Sequence, residues 1–265
     1  MPEISPPPSF PWALAPPDVA AWLEELAGDG LTGFLVPAMP HAVWVLNAMY
    51  EHEQGPGDIT YDEDERARTA EGTAQPCILA GLDPAALVTT GGGLGRAEHP
   101  GRGWRRLRWA ELAQRSGDPV VPEGMFPCYR CFPSVSRNGS WPLGIQPPTE
   151  GSLDRETWDR LIAVLTEHSS QGEDARCLAY YGAVMFPETD FESPQVWAGR
   201  LGDAGALYDN PEVNCSPSNL WSEDRSWVVC TDWDLWASKV VGPTPLIEAL
   251  LTDPWIEALR LPWNA

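Results

Sequence analysis

The chain is expected to be an α+β protein, a mainly antiparallel mixed sheet with helices packed on one face, and three observations predict this. Its 265 residues, 43% of them apolar, can bury a core without disulfides or a structural metal. Amphipathic stretches of helical period alternate with short apolar runs of strand length. Two of those runs near the C-terminus, "SWVVCTD" and "LWASKVV", are spaced as the arms of a hairpin.

The elements follow in order. Residues 1–16 form a proline-rich arm. "PPDVAAWLEELAGDG" predicts a short helix with Asp18 as N-cap, Val19, Trp22, Leu23 and Leu26 on one face, and Gly28 as the stop. "LTGFLVPA" and "HAVWVLNAMY" read as strands. Residues 53–75 are polar and acidic, a surface loop or an exposed helical turn. "PCILAGLD" and "AALVTT" read as short strands, followed by a glycine loop and by "WRRLRWAELAQRSG", whose later part has helical period. Residues 119–148 are rich in Pro, Gly and Ser and mark a boundary. It divides a first α+β half, 17–148, from a second, 149–265, unless the two form one continuous domain.

The second half opens on the clearest helix, "SLDRETWDRLIAVLTEH". Asp154 can cap it, Leu153 and Trp158 stand at the staple positions, and Trp158, Leu161, Ile162 and Leu165 form an apolar stripe. Then come the strand "CLAYYGAVM", a short helix around Val196 to Leu201, the hairpin strands, and a helix "TPLIEALLT" stopped by Pro254. Each half carries Pro-Pro, an Asp-capped helix with Trp four residues after the Asp, and a strand ending in proline. This echo suggests two stacked α+β units.

Composition narrows the function. A formal charge of −21 repels phosphate backbones and anionic lipid, which argues against nucleic-acid or membrane binding and leaves a basic protein partner, a small ligand, or acidity serving solubility alone. No run approaches the roughly 20 apolar residues of a membrane span. The start "MPEISPPPSFPW" has an acid and prolines where a signal peptide carries basic and then apolar residues, so a cytoplasmic location is expected. The six cysteines read as reduced, mostly buried thiols.

Four stretches are candidate sites. The loop from Gly91 to Arg108 exposes backbone N–H groups at Gly92, Gly93 and Gly95 beside Arg96, Arg105 and Arg106, a plausible pocket for a phosphate or carboxylate. It lacks the spacing of a nucleotide-binding loop, so a hairpin loop whose arginines pair with surface acids is the competing reading. "DWD" offers Asp232 and Asp234 as weak metal candidates, against solvated acids at a strand turn. "PCYRC" sets Cys128 and Cys131 in a lone C-x-x-C; zinc needs two further ligands, and prolines bracket the pair where a redox motif would open a helix. "YEHE" supplies a histidine and two acids on a strand edge. No motif calls for a cofactor, and no nucleophile can be named.

A further candidate, residues 216–242, packs four tryptophans around a Glu-Asp-Arg step. With Trp227, Val229 and Thr231 on one side and Val228 and Cys230 on the other, the strand is interior and Trp227 mainly core. Asp224 and Arg225 pair or fix a turn, and Lys239 pairs with Asp232 or Asp234 across the hairpin. A recognition surface of Trp221, Asp224, Arg225, Trp233, Asp234 and Trp236 is the alternative.

The run Ser216-Pro217, Trp221, Asp224-Arg225-Ser226-Trp227, Asp232, Val241-Gly242 and Leu246-Ile247 resembles the C-terminal region of a group of actinobacterial proteins sharing a W-x-x-D-R-S/A-W step, and "PMPHAVWVLNAMYE" has the same character. That resemblance implies a source and no mechanism. At the level of fold alone, acidic bacterial α+β proteins of this kind look like immunity or antitoxin-type partners, including the broad SMI1/KNR4-like class. The expected function is therefore a non-enzymatic protein that binds a basic partner through an acidic, Trp-bearing surface. The alternative is an enzyme or binder of an anionic small molecule at the Gly91–Arg108 loop.

Overall fold

The computed structural model describes residues 10–24, 39, 41–72, 92–137, 140–182 and 195–261. The fold is α+β. It divides into two compact units, one of residues 1–47, 94–97 and 149–265, the other of residues 48–93 and 98–148. The partition is discontinuous, whereas the sequence reading drew consecutive halves: the N-terminal segment belongs with the C-terminal one.

The larger unit is built on an eight-stranded sheet in the order β1-β7-β6-β8-β9-β10-β2-β11, every neighbouring pair antiparallel. The strands are β1 (Ala13–Leu14), β2 (Ala42–Leu46), β6 (Arg176–Tyr181), β7 (Gln195–Arg200), β8 (Asn219–Ser222), β9 (Val228–Thr231), β10 (Ala237–Val241) and β11 (Ala258–Arg260). Alternation of side chains sorts them onto two faces. Val43, Val45, Cys177, Ala179, Trp197, Leu220, Val229 and Val240 join the main core, while Ala42, Leu178, Val196, Trp221, Val228 and Val241 join a second cluster. Strands apolar on both sides are interior strands, as expected of "SWVVCTD".

The main core is closed by α4 (Arg155–His168) and α6 (Thr244–Thr252), with the one-turn α5 (Gly205–Tyr208) beside them. Asp154 caps α4 as its spacing predicts, accepting from the Thr157 N–H at 3.3 Å and the Thr157 hydroxyl at 2.5 Å. Trp158, Leu161 and Leu165 are buried, with Ile162 packed against them. The second cluster is covered by Trp22 and Leu23 of α1 (Ala21–Glu24). That helix is entered through a 3-10 turn, Pro17–Ala20, with Pro16 at the N-cap and no capping side chain, so Asp18 is not the cap. Leu26 and Gly28 lie outside the described residues.

Three other expectations are corrected. The arm is part of the sheet from Trp12 onward: its indole is buried, donates to the Asp203 carbonyl at 3.0 Å, and precedes an edge strand. The helix expected near Val196 is strand β7, followed by a 3-10 turn at Leu201–Asp203. Gly199 is needed there because a Cβ would stand 2.5 Å from Trp12 Cδ2. The lead-in "NLW" is strand β8, with Asn219 buried and its amide donating to Cys230 Sγ at 2.7 Å. The stretches "LTGFLVPA", "PCILAGLD" and "AALVTT" lie outside the described residues.

The smaller unit holds a three-stranded antiparallel sheet in the order β4-β3-β5, from β3 (Met49–His52), β4 (Trp104–Leu107) and β5 (Ile145–Gln146). "HAVWVLNAMY" is thus two strands in two sheets. Helix α3 (Trp109–Ser116) buries Trp109, Leu112 and Ala113 and ends at Gly117, whose φ of 78° is the left-handed cap glycine accepts without strain. Trp109, Phe132 and Trp141 stack edge-on or tilted through the centre. Helix α2 (Tyr61–Ala70) occupies the segment expected as loop or exposed turn. Its start is a capping box: Glu63 N–H donates to the Thr60 hydroxyl, and the Thr60 N–H donates to the Glu63 carboxylate at 2.8 Å.

Candidate functional site

The residues of the Gly91–Arg108 loop are divided between the two units. Gly95 and Arg96 belong to the larger unit, Gly92, Gly93, Arg105 and Arg106 to the smaller, and Gly91 lies outside the described residues. Gly95, at φ 106°, lets the backbone close on Asn214: a Cβ would meet the Asn214 carbonyl oxygen at 2.5 Å. Gly93 has φ 88° and open space around it, a turn glycine only. Arg96 donates to the carbonyls of Leu207 and Asn210 at 3.3 Å and lies 4.7 Å from the Tyr208 ring, so it closes the end of α5.

Arg105 is held by carboxylates of its own unit. It donates to Glu111 at 2.6 and 3.0 Å and to Glu51, while Arg115 donates to the other Glu51 oxygen at 2.6 Å. Glu51 stands opposite Arg105 across the β3-β4 pair, and its side chain is 4% exposed. The guanidinium keeps the Glu111 carboxyl below its usual range. A buried carboxylate flanked by two arginines is the ionic centre of this unit, and the sequence reading missed it by assigning "YEHE" to a solvent edge. His52 instead accepts from the Gln54 N–H and packs edge-on against Trp104. Arg106 follows on the opposite face of β4, half-buried and engaged within the fold.

The tryptophan-rich stretch is mostly core. Trp221, Trp227 and Trp236 are buried to within 1% of their surface, so Trp221 and Trp236 cannot meet a partner in the folded chain. The turn between β8 and β9 stays outside. Asp224 accepts from the Ser226 N–H at 3.0 Å, Arg225 takes φ 57°, and its guanidinium lies 4.6 Å from the Trp22 ring, which packs edge-on against Trp221. Asp224 therefore fixes the turn, and Arg225 stacks over an aromatic ring. Trp233 is half-buried and Asp234 exposed.

No ion pair joins Lys239 to Asp232 or Asp234: the ammonium lies 6.0 Å from the Trp44 ring. Asp232 is buried and accepts from the Asp234 N–H at 2.8 Å. Burial pushes its carboxyl up to about 6, against the bond from Asp234 that lowers it. Among the described residues no cluster of three metal-ligating side chains forms, at Asp232 or at the C-x-x-C.

The raised Asp232 has a consequence for stability. Its folded form holds the proton more tightly than the unfolded chain, so folding is favoured below about pH 4 and loses that advantage as pH rises through about 6. Asp232→Asn keeps an acceptor for the Asp234 N–H and removes the buried charge. At pH 7.5 it is expected to gain about 1–3 kcal/mol relative to its value at pH 4, several degrees in thermal midpoint. Equal differences between variant and parent at both pH values would show that Asp232 titrates as an ordinary carboxylate.

Cys128 and Cys131 lie in a turn closed by the Cys131 N–H donating to the Cys128 carbonyl at 3.0 Å. Cys128 is half-buried and Cys131 fully buried. No described helix is long and apolar enough to cross a membrane. Comparison with protein-family models, curated proteins and solved structures yields no match.

Proposed function

We propose that the chain is a binding protein rather than an enzyme, engaging a basic protein partner through exposed carboxylates in the manner of an immunity protein meeting a cationic toxin. The observation that carries the reading is α2, a ten-residue helix that buries none of its residues. Core packing stabilises most helices of this length in proteins. This one is held by its capping box, by the Arg137 ion pair to Glu63 at 3.4 Å, and by looser pairs of Arg68 with Asp64 and Glu65. Between residues 53 and 72 the segment carries seven carboxylates against Arg66 and Arg68.

Arginine occupancy supports the same reading. Arg105, Arg115, Arg155, Arg160, Arg176, Arg200 and Arg260 all pair with carboxylates of their own chain. Arg96 and Arg105, two of the three arginines of the anion-pocket reading, are engaged on carbonyls or in this way. The surplus of acid therefore faces outward, where it accelerates encounter with a cation and weakens with salt.

An arginine-rich peptide immobilised on a sensor surface is the probe. Asp64→Asn, Glu65→Gln and Glu71→Gln together are expected to weaken binding about tenfold at low salt, at a few tenths to one kcal/mol per exposed charge. The matched set Glu223→Gln, Asp224→Asn and Asp234→Asn is expected to change it by less than threefold. Equal losses from the two sets would make the attraction one of net charge only, and affinity unchanged between 50 and 300 mM salt would overturn the electrostatic reading.

A further inference from the structure

We infer that Cys128 and Cys131 form a thiol-disulfide exchange site, with Cys128 as the attacking sulfur and Cys131 as the resolving one, that takes up oxidising equivalents from a low-molecular-weight disulfide. Geometry makes the case first. A turn closed by an N–H to carbonyl bond three residues back brings its end Cα atoms within about 7 Å, the range a disulfide spans. The Cys128 N–H also donates to Cys131 Sγ at 3.4 Å, which folds the second sulfur back over the first residue.

Accessibility then divides the roles. Cys131 has no exposed surface, with its Sγ 3.6 Å from the Phe126 carbonyl oxygen, whereas Cys128 is half-buried and open to a small reagent. The hydrogen bond from Cys131 holds the Cys128 thiol below the ordinary thiol range, helped by the Arg130 N–H and the Arg130 charge, and the Cys131 thiol is raised in turn. One proton is thus lost early from the pair and the second late, the order that leaves a nucleophile at Cys128 and a protonated thiol in reserve. Cys177, Cys215 and Cys230 stand in the opposite condition, buried singly and raised by desolvation.

The chemistry balances in two steps. The Cys128 thiolate attacks one sulfur of the small disulfide, forming a mixed disulfide and releasing one small thiolate. Cys131 then loses its proton to solvent and attacks Cys128 Sγ, breaking the mixed bond and releasing the second thiolate. The small disulfide is reduced to two thiols, and the two protein thiols are oxidised to one intramolecular disulfide.

The test is incubation of the full folded chain with oxidised glutathione at pH 7, followed by peptide mapping in a mass spectrometer. In the parent, the fragment carrying both cysteines is expected to lose two hydrogens and retain no glutathione. Cys131→Ser is expected to keep one glutathione on Cys128, and Cys128→Ser to leave Cys131 unmodified. Cys128 should react at least tenfold faster than Cys177, Cys215 or Cys230, which also report whether the variants remain folded. Glutathione remaining on Cys128 of the parent would remove the resolving role, and no modification at Cys128 would overturn the proposal. If the buried serine of Cys131→Ser unfolds the chain, the parent alone decides, by the presence or absence of the two-hydrogen loss.

Discussion

Arg105→Ala combined with Arg115→Ala is expected to destabilise the protein by about 3–5 kcal/mol, because it leaves the buried Glu51 carboxylate without either partner. The carboxylate is 4% exposed and cannot recover its hydration by turning outward. Each arginine is more than a third exposed, so the converse change, Glu51→Gln, leaves two cations that water can reach and costs less. Either arginine variant alone keeps one ion pair and is expected to lose less than half as much. Adding Glu51→Leu to the double variant replaces the orphaned charge by an apolar side chain of similar length and is expected to recover most of the loss. Urea unfolding of the parent and these variants measures this directly. A double variant within about 0.5 kcal/mol of the parent would mean that Glu51 is solvated.

That ionic centre shows why the site was less legible than the fold. "YEHE" and "WRRLRW" are fifty residues apart, and nothing in either says that β3 and β4 pair with Glu51 opposite Arg105. Once that register is known, Arg105 is seen to be paired within its own sheet, and the residues of the loop are divided between two compact units. The C-x-x-C was visible as a motif, but the turn that brings its sulfurs together and buries one of them is a property of the fold. The Asp224-Arg225 step was read as turn-forming, and it is, because an Asp side chain closes its turn with the N–H two residues on, a wholly local device.

The same division between local and distant information runs through the secondary structure. Helix α4 was legible because its cap, staple and stripe fall within residues 153–165 and all point to one answer. Helix α2 carried an equally local signal, Thr60 followed by Glu63, but its lack of apolar residues hid it from a search by hydrophobic period. Strand β7 looked helical because Gly199 weakens the strand pattern, and the reason for that glycine is the indole of Trp12 at the other end of the chain. Strand β8 begins and ends on polar residues, Asn219 and Ser222, which are buried only because β6 and β9 flank them.

Trp227→Ala tests the packing role of the indole between β8 and β9, and a loss of about 3–5 kcal/mol is expected. The indole is fully buried in the main core, and its Nε1–H donates to the Ser169 hydroxyl at 2.9 Å. That hydroxyl in turn donates to the Leu165 carbonyl at 2.7 Å, so two bonds in series tie the residue before β9 to the last turn of α4. Truncation removes the apolar burial, opens a cavity in the main core, and leaves Ser169 with one contact fewer. Trp227→Phe keeps most of the volume and loses the bond, and is expected to cost less than half as much. For a chain of this size the alanine variant should melt roughly 10 °C below the parent. Arg225→Gly gives the contrast two residues earlier. It relieves a left-handed residue while giving up a stacked cation, two effects of opposite sign and each about 1 kcal/mol or less, so its midpoint should barely move. A Trp227 variant that melts with the parent would place the indole outside the core. The expected pair of results assigns Trp227 to the core and Arg225 to the exposed turn.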